Sequence, residues 1–184
     1  MSDRAVIYAT QTWLASFIIA YNICPFAKRE QQRNSIRYHV TRPEDLPGAL
    51  EAVITECEYL DSHAETETTL VIFPELFADF EDYLDLLALA EQLLQDQGYA
   101  GTYQLASFHP DYRFESATPD IEDAADYTNR SPYPMLHIIR ETSIDRALAT
   151  YPDPENIPAR NIKLTRELGL EKLKALLASC YLPL

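Results

Sequence analysis

Thr69-Leu70-Val71-Ile72-Phe73-Pro74 is the stretch on which the fold turns. It is a continuous β-prone apolar run with no polar alternation, the pattern of a strand covered on both faces. Pro74 has no N–H to give a ladder and ends the run. Upstream, Leu46, Leu50, Val53, Cys57 and Leu60 step by three or four, which predicts a helix over 44–61 with Cys57 on its buried stripe. Before it, Ile36-Arg37-Tyr38-His39-Val40 reads as a short alternating strand. Downstream, Asp79 can cap a helix whose inner face is Phe80, Tyr83, Leu84, Leu87, Ala90 and Leu94 and which ends near Gly98. Thr102 to Phe108 is a third strand and Met135 to Ile139 a fourth.

The flanks are helical. Val6, Thr10, Trp13, Phe17 and Tyr21 recur at helical spacing and predict an amphipathic helix over 4–22. Pro25 ends it, because the residue before a proline avoids the α region. Helices are expected at about 141–150, 155–168 and 170–180, with Gly169 between the last two. Residues 110–134 are rich in Pro, Asp, Tyr and Ser and read as a long ordered loop, a feature often tied to function. Strands alternating with helices predict an α/β fold: one domain over 1–184, a mostly parallel or mixed sheet of about four strands, and helices on both faces. In such sheets ligands sit beyond the carboxyl ends of the strands. That edge would gather Phe73-Pro74-Glu75, Ser107-Phe108-His109-Pro110 and Ile139-Arg140-Glu141, which points to His109 and Arg140.

The chain has 184 residues and a net charge of −14. That charge disfavours nucleic acid, which needs a basic field. The acids are concentrated: residues 44–126 hold 21 acids and one base, Arg113, while the rest holds 8 acids and 14 bases. Either the exposed helix faces of the middle simply happen to be acidic, or one face is electropositive enough to accept a small anionic ligand. No apolar run approaches the roughly 20 residues of a membrane span, and the first residues lack a signal-peptide pattern. Cys24, Cys57 and Cys180 show no paired spacing, so free thiols and a cytoplasmic location are expected. With four glycines the chain has no phosphate-cradling loop or dinucleotide fingerprint, and it has no CxxC pair, HExxH or GxSxG. The sequence names no cofactor and fixes no oligomeric state.

Three stretches concentrate reactive side chains. In Asn22-Ile23-Cys24-Pro25-Phe26-Ala27-Lys28-Arg29, nearby cations could lower the Cys24 pKa, or Cys24 could be a small buried apolar residue at a turn. His109 ends a central strand, where a general base would sit or where a histidine is simply hydrogen-bonded. Asn129-Arg130-Ser131-Pro132-Tyr133-Pro134, with His137 and Arg140, packs binding groups around a proline-stiffened turn. Its arginines suit bidentate capture of carboxylate or phosphate, or ion pairing with the acidic middle of the chain. His39 and His63 read as ordinary strand or surface residues.

At these stretches the chain resembles a bacterial and plant-plastid family catalogued as domain of unknown function fourteen-fifteen. The resemblance rests on Asn22 to Ala27, Glu67-Thr68-Thr69-Leu70, Ala106 to Pro110, Asn129 to Pro134 with His137 and Arg140-Glu141, and Ile157-Pro158-Ala159-Arg160-Asn161-Ile162. It spans nearly the whole chain, with departures at Tyr21 and across Ile121 to Ala125. It implies the domain and no activity.

Four functions stay open. One is an enzyme acting on an anionic substrate, with His109 and Cys24 catalytic and Arg130, Arg140, Asn129, Ser131, His137 and Arg160 binding. A second is a metal site of His109, His137, Cys24 and a carboxylate such as Asp111. A third is a non-catalytic binding or assembly module. The fourth is a thiol protein of the glutaredoxin or glutathione-transferase kind, similar at Cys24-Pro25-Phe26-Ala27, in which a strand precedes the cysteine and a helix follows it.

Overall fold

In the computed structural model, residues 1–114 and 122–181 are described. The elements follow from local chemistry. Asp45 accepts a hydrogen bond from Gly48 N and starts α3 (Leu46–Ser62), and Asp79 accepts from Glu81 and Asp82 N and starts α4 (Phe80–Asp96). Each satisfies backbone donors that a helix leaves open at its first turn. These two helices alternate with β1 (Ile36–Val40), β2 (Thr68–Ile72) and β3 (Tyr103–Phe108). After a loop containing a 3₁₀ turn (Ala124–Thr128) come β4 (Met135–Arg140), α5 (Glu141–Leu148), α6 (Ile157–Leu168) and α7 (Leu170–Ala178). The stretch 115–121 of the expected long loop, including Ile121, lies outside the described residues.

The N-terminal segment departs from one continuous helix over 4–22. It is α-helical over Asp3–Trp13 (α1) and π-helical over Leu14–Ile19. Ile23 N reaches Ile18 O at 2.8 Å to close it, five residues back. Over a single turn, apolar spacing does not separate the two helix types, and π turns are frequent at functional sites. A short helix, α2 (Ala27–Gln32), follows Pro25.

The sheet is open, mixed and ordered β1-β2-β4-β3. β1 runs parallel to β2, and β4 runs antiparallel to both β2 and β3. Every residue of β2 is buried, as its unbroken apolar run requires. Side chains alternate across the sheet. One face packs Val71, Phe73, Leu136 and Ile138 against α3 and α4. The other packs Leu70, Ile72 and Met135 against α1, the π segment and α7. The charge division along the sequence is thus largely a division between layers: α3 and α4 are acidic, and the opposite helical layer carries most of the bases. Among the described residues no helix is long and apolar enough to cross a membrane.

Candidate functional site

The direction of β4 separates the two residues that topology was expected to join. Phe108 lies opposite Met135, while Arg140 lies opposite Tyr103 at the start of β3. His109 and Arg140 therefore sit at opposite edges of the sheet, and the expected carboxyl-edge cluster does not form.

At the His109 edge, the loop before β4 is knitted to the end of β3. His109 N donates to Asn129 O at 3.2 Å, Asn129 Nδ2 donates to Ser107 O at 3.0 Å, and Ser131 Oγ donates to Tyr133 O at 2.7 Å. His109 is 0% exposed. Its Nδ1 accepts from Asp111 N at 3.0 Å, which leaves Nε2–H to donate to Phe77 O at 2.8 Å. Both ring nitrogens are committed and burial lowers the pKa, so the ring is neutral with no free lone pair. Phe77 has φ +60°, a region unfavourable to a bulky residue. The His109 bond and the edge contact with Phe73 hold it there.

The three arginines expected to bind an anion are engaged within the protein. Arg130 is buried, donates to Glu122 at 2.6 Å and to Tyr112 O at 3.2 Å, and lies over the Tyr127 ring. Its carbonyl accepts from Trp13 Nε1 at 2.9 Å, which ties the loop to α1. Arg140 Nη2 donates to Leu60 O at 2.6 Å and Thr66 O at 3.1 Å, closing the carboxyl end of α3. Arg160 donates to Asn22 O, to Tyr151 Oη and to Asn161 Oδ1. Asn161 Nδ2 also donates to Ile23 O at 2.7 Å. The Ile157–Ile162 motif thus clamps the Asn22–Ala27 turn, two segments far apart in the chain.

Cys24 lies in that turn. Burial pushes its thiol pKa up; bonds from the Phe26 and Ala27 amides and the Arg160 charge pull down more weakly. Of the two readings of Cys24, the direction fits a small buried residue at a turn and not a thiol lowered by Lys28 and Arg29. A π-helical segment, not the strand of the glutaredoxin-like reading, precedes Cys24, and the short α2 follows it. Burial raises the Cys57 thiol to about 12 and raises that of Cys180 as well. All three thiols should therefore alkylate more slowly than free cysteine at neutral pH in the folded chain and at ordinary rates in urea. Counting modified thiols by mass spectrometry checks this; rapid single-site labelling at Cys24 would contradict it.

His137 is different. Thr68 Oγ1 gives its one hydrogen to Ile138 O at 2.5 Å and accepts from His137 Nε2 at 2.6 Å, so Nδ1 is the unprotonated nitrogen. Burial pushes the pKa down to about 4. Among the described residues, no group of three His, Cys, Asp or Glu side chains is placed to hold a metal ion. The set of His109, His137 and Cys24 does not assemble.

Two features went unread in the sequence. On the α3 face of β1, Glu56 is 1% exposed and accepts from Arg37 Nε at 2.7 Å and Nη2 at 3.1 Å. His39 Nδ1 meets its Oε1 at 3.1 Å. On the opposite face a groove of about 740 Å³ runs between α1, α2 and β1. Tyr8, Gln11, Thr12, Ala15 and Ser16 form one wall; Gln31 and Asn34 close it, and Ile36 and Tyr38 of β1 form its floor. No lining side chain is an acid or a base, and Tyr38 is held protonated, its pKa pushed up to about 12 by burial. The signal was legible: residues 5–27 contain no Asp, Glu, Lys or Arg, in a chain that is 24% charged.

No curated protein matches the chain, and no solved structure does. A family model described as protein of unknown function (DUF1415) matches residues 5–175. The chain belongs to that family.

Proposed function

We propose that this protein is a binding module whose site is the groove between α1 and β1. The observation that carries this reading is the uncharged wall. An exposed helix face ordinarily carries charges, yet the wall residues Tyr8, Gln11, Thr12 and Ala15 are aromatic, neutral or small, and Tyr8 is 46% exposed. The volume falls within the roughly 300–1,000 Å³ of ligand sites. The π segment supports the same reading: it turns Leu14, Phe17 and Ile18 into the core while Ala15 and Ser16 line the groove. The motif histidines and arginines then serve the scaffold, since their hydrogen bonds go to other parts of the protein.

Ala15→Trp tests the proposal, because Ala15 is exposed and a tryptophan there fills the groove at little cost to folding. Screened against a library of neutral, hydrogen-bonding fragments, the wild-type chain should yield binders that the variant loses, with the unfolding free energy in urea unchanged within about 0.5 kcal/mol. Binders retained at full affinity by the variant would place the site elsewhere.

A further inference from the structure

We propose that the groove receives an extended, acidic peptide segment of a partner protein, which adds a strand to the open edge of β1; this rests on the groove reading above. β1 is the first strand of an open sheet and pairs on one side only. Thr68 N donates to Ser35 O and Thr41 N to Ile72 O, which sets the phase of the ladder. Arg37 and His39 therefore bond β2, and the N–H and C=O groups of Ile36, Tyr38 and Val40 face away from it along the free edge. Such a row is a template for another strand. The edge is not blunted by proline or bulge, and its charged residues turn to the other face, where Arg37 and His39 meet Glu56.

The groove lies where an added strand would put alternate side chains, since Ile36 and Tyr38 form its floor. Its neutral wall fits small or apolar residues in the middle of that strand. Each helical wall carries a cation within one turn of the lining residues. Arg4 precedes Tyr8 by one helical turn, Lys28 precedes Gln31 on α2, and both are exposed with no ion pair among the described residues. Acidic residues flanking the bound strand would complement them. A second copy of this chain fits less well: pairing β1 with itself about a two-fold axis exchanges the ends of the strand and sets Arg4 of each copy near Lys28 of the other, cation against cation, between molecules that each carry −14.

Peptide display against the folded chain, followed by synthesis of the selected peptide, tests this. The peptide should alternate neutral or apolar side chains and carry Asp or Glu at its ends. Methylating its edge-facing amide nitrogens should weaken binding about tenfold or more, as loss of several backbone bonds requires. The double variant Arg4→Glu with Lys28→Glu should also weaken binding about tenfold, and Ala15→Trp should abolish it. Equal binding by the methylated peptide, failure to select any peptide, or dimerisation of the chain that protects the Tyr38 amide would each overturn strand addition by a partner. If neutral fragments still bind wild type and not Ala15→Trp, the groove reading survives; if they too fail, both fall.

Discussion

Arg37→Ala should destabilise the protein by about 3–5 kcal/mol, the cost of leaving a buried ion without its partner. Arg37 gives Glu56 two hydrogen bonds and stacks on Tyr59 at 3.9 Å. Without it the carboxylate keeps only His39, at 3.1 Å. Arg37 is the more exposed partner, its side chain 33% accessible against 2% for Glu56. Removing the arginine therefore strands a charge that water cannot reach. Removing Glu56 instead frees an arginine that can turn outward, so Glu56→Ala should cost less. Replacing both, Arg37→Met with Glu56→Leu, should recover most of the loss, since a packed apolar pair carries no desolvation penalty. Urea unfolding of the wild type and the three variants measures this. Equal costs for the two single variants, with no recovery in the double, would show that the ion pair does not matter.

Acid should destabilise the fold at a milder pH than carboxylate titration alone would bring. His39, His109 and His137 all have folded pKa values below the ordinary 6.5, in each case chiefly through burial. Near His39, Glu56 and Asp3 oppose the shift and Arg37 adds to it. Near His109, the Phe77 carbonyl, Asp111 and Asp79 oppose and Arg130 adds. A histidine with a lowered folded pKa binds its proton more readily in the unfolded chain. Its contribution is complete above pH 6.5 and is lost as pH falls from there to the folded value, about 4 for His137. That one ring accounts for at most on the order of 3 kcal/mol, less for its partly exposed edge. Below this window Glu122 and Asp123, whose pKa values are lowered by Lys174 and Arg166 respectively, add to the loss. Unfolding free energy measured between pH 7.5 and 4.5 should fall steadily, and His137→Gln should flatten part of the slope. Stability constant or rising below pH 6.5 would contradict the burial of these rings.

The fold was legible where burial alone decides it. β2 reads as a buried central strand because nothing in Thr69 to Phe73 needs water, and the cap at Asp79 follows from a carboxylate set before apolar periodicity. The direction of β4 was not legible. Met135 to Ile139 alternates identically whichever way the strand runs, and direction depends on the path of the preceding loop. That one reversal carried Arg140 to the far edge, where it closes α3. The π segment was hidden for a related reason, since apolar residues three and four apart suit either helix. Arg130, Arg160 and His109 are residue types that serve catalysis and internal hydrogen bonding alike, and only partners distinguish the two. The uncharged stretch over 5–27 was the readable sign of the groove. It resembles an ordinary amphipathic helix until the missing charges on its outer face are noticed.

We propose that this chain binds through the groove of α1 and β1 and not through its Cys24, His109 and arginine motifs. A residue-resolved amide shift map for the first fragment or peptide found to bind tests it most directly. The largest changes should fall on Tyr8, Gln11, Thr12, Ala15 and Tyr38, with Arg160 and Asn129 unmoved. Changes centred on Cys24 and Arg160, or on His109 and Asn129, would contradict it.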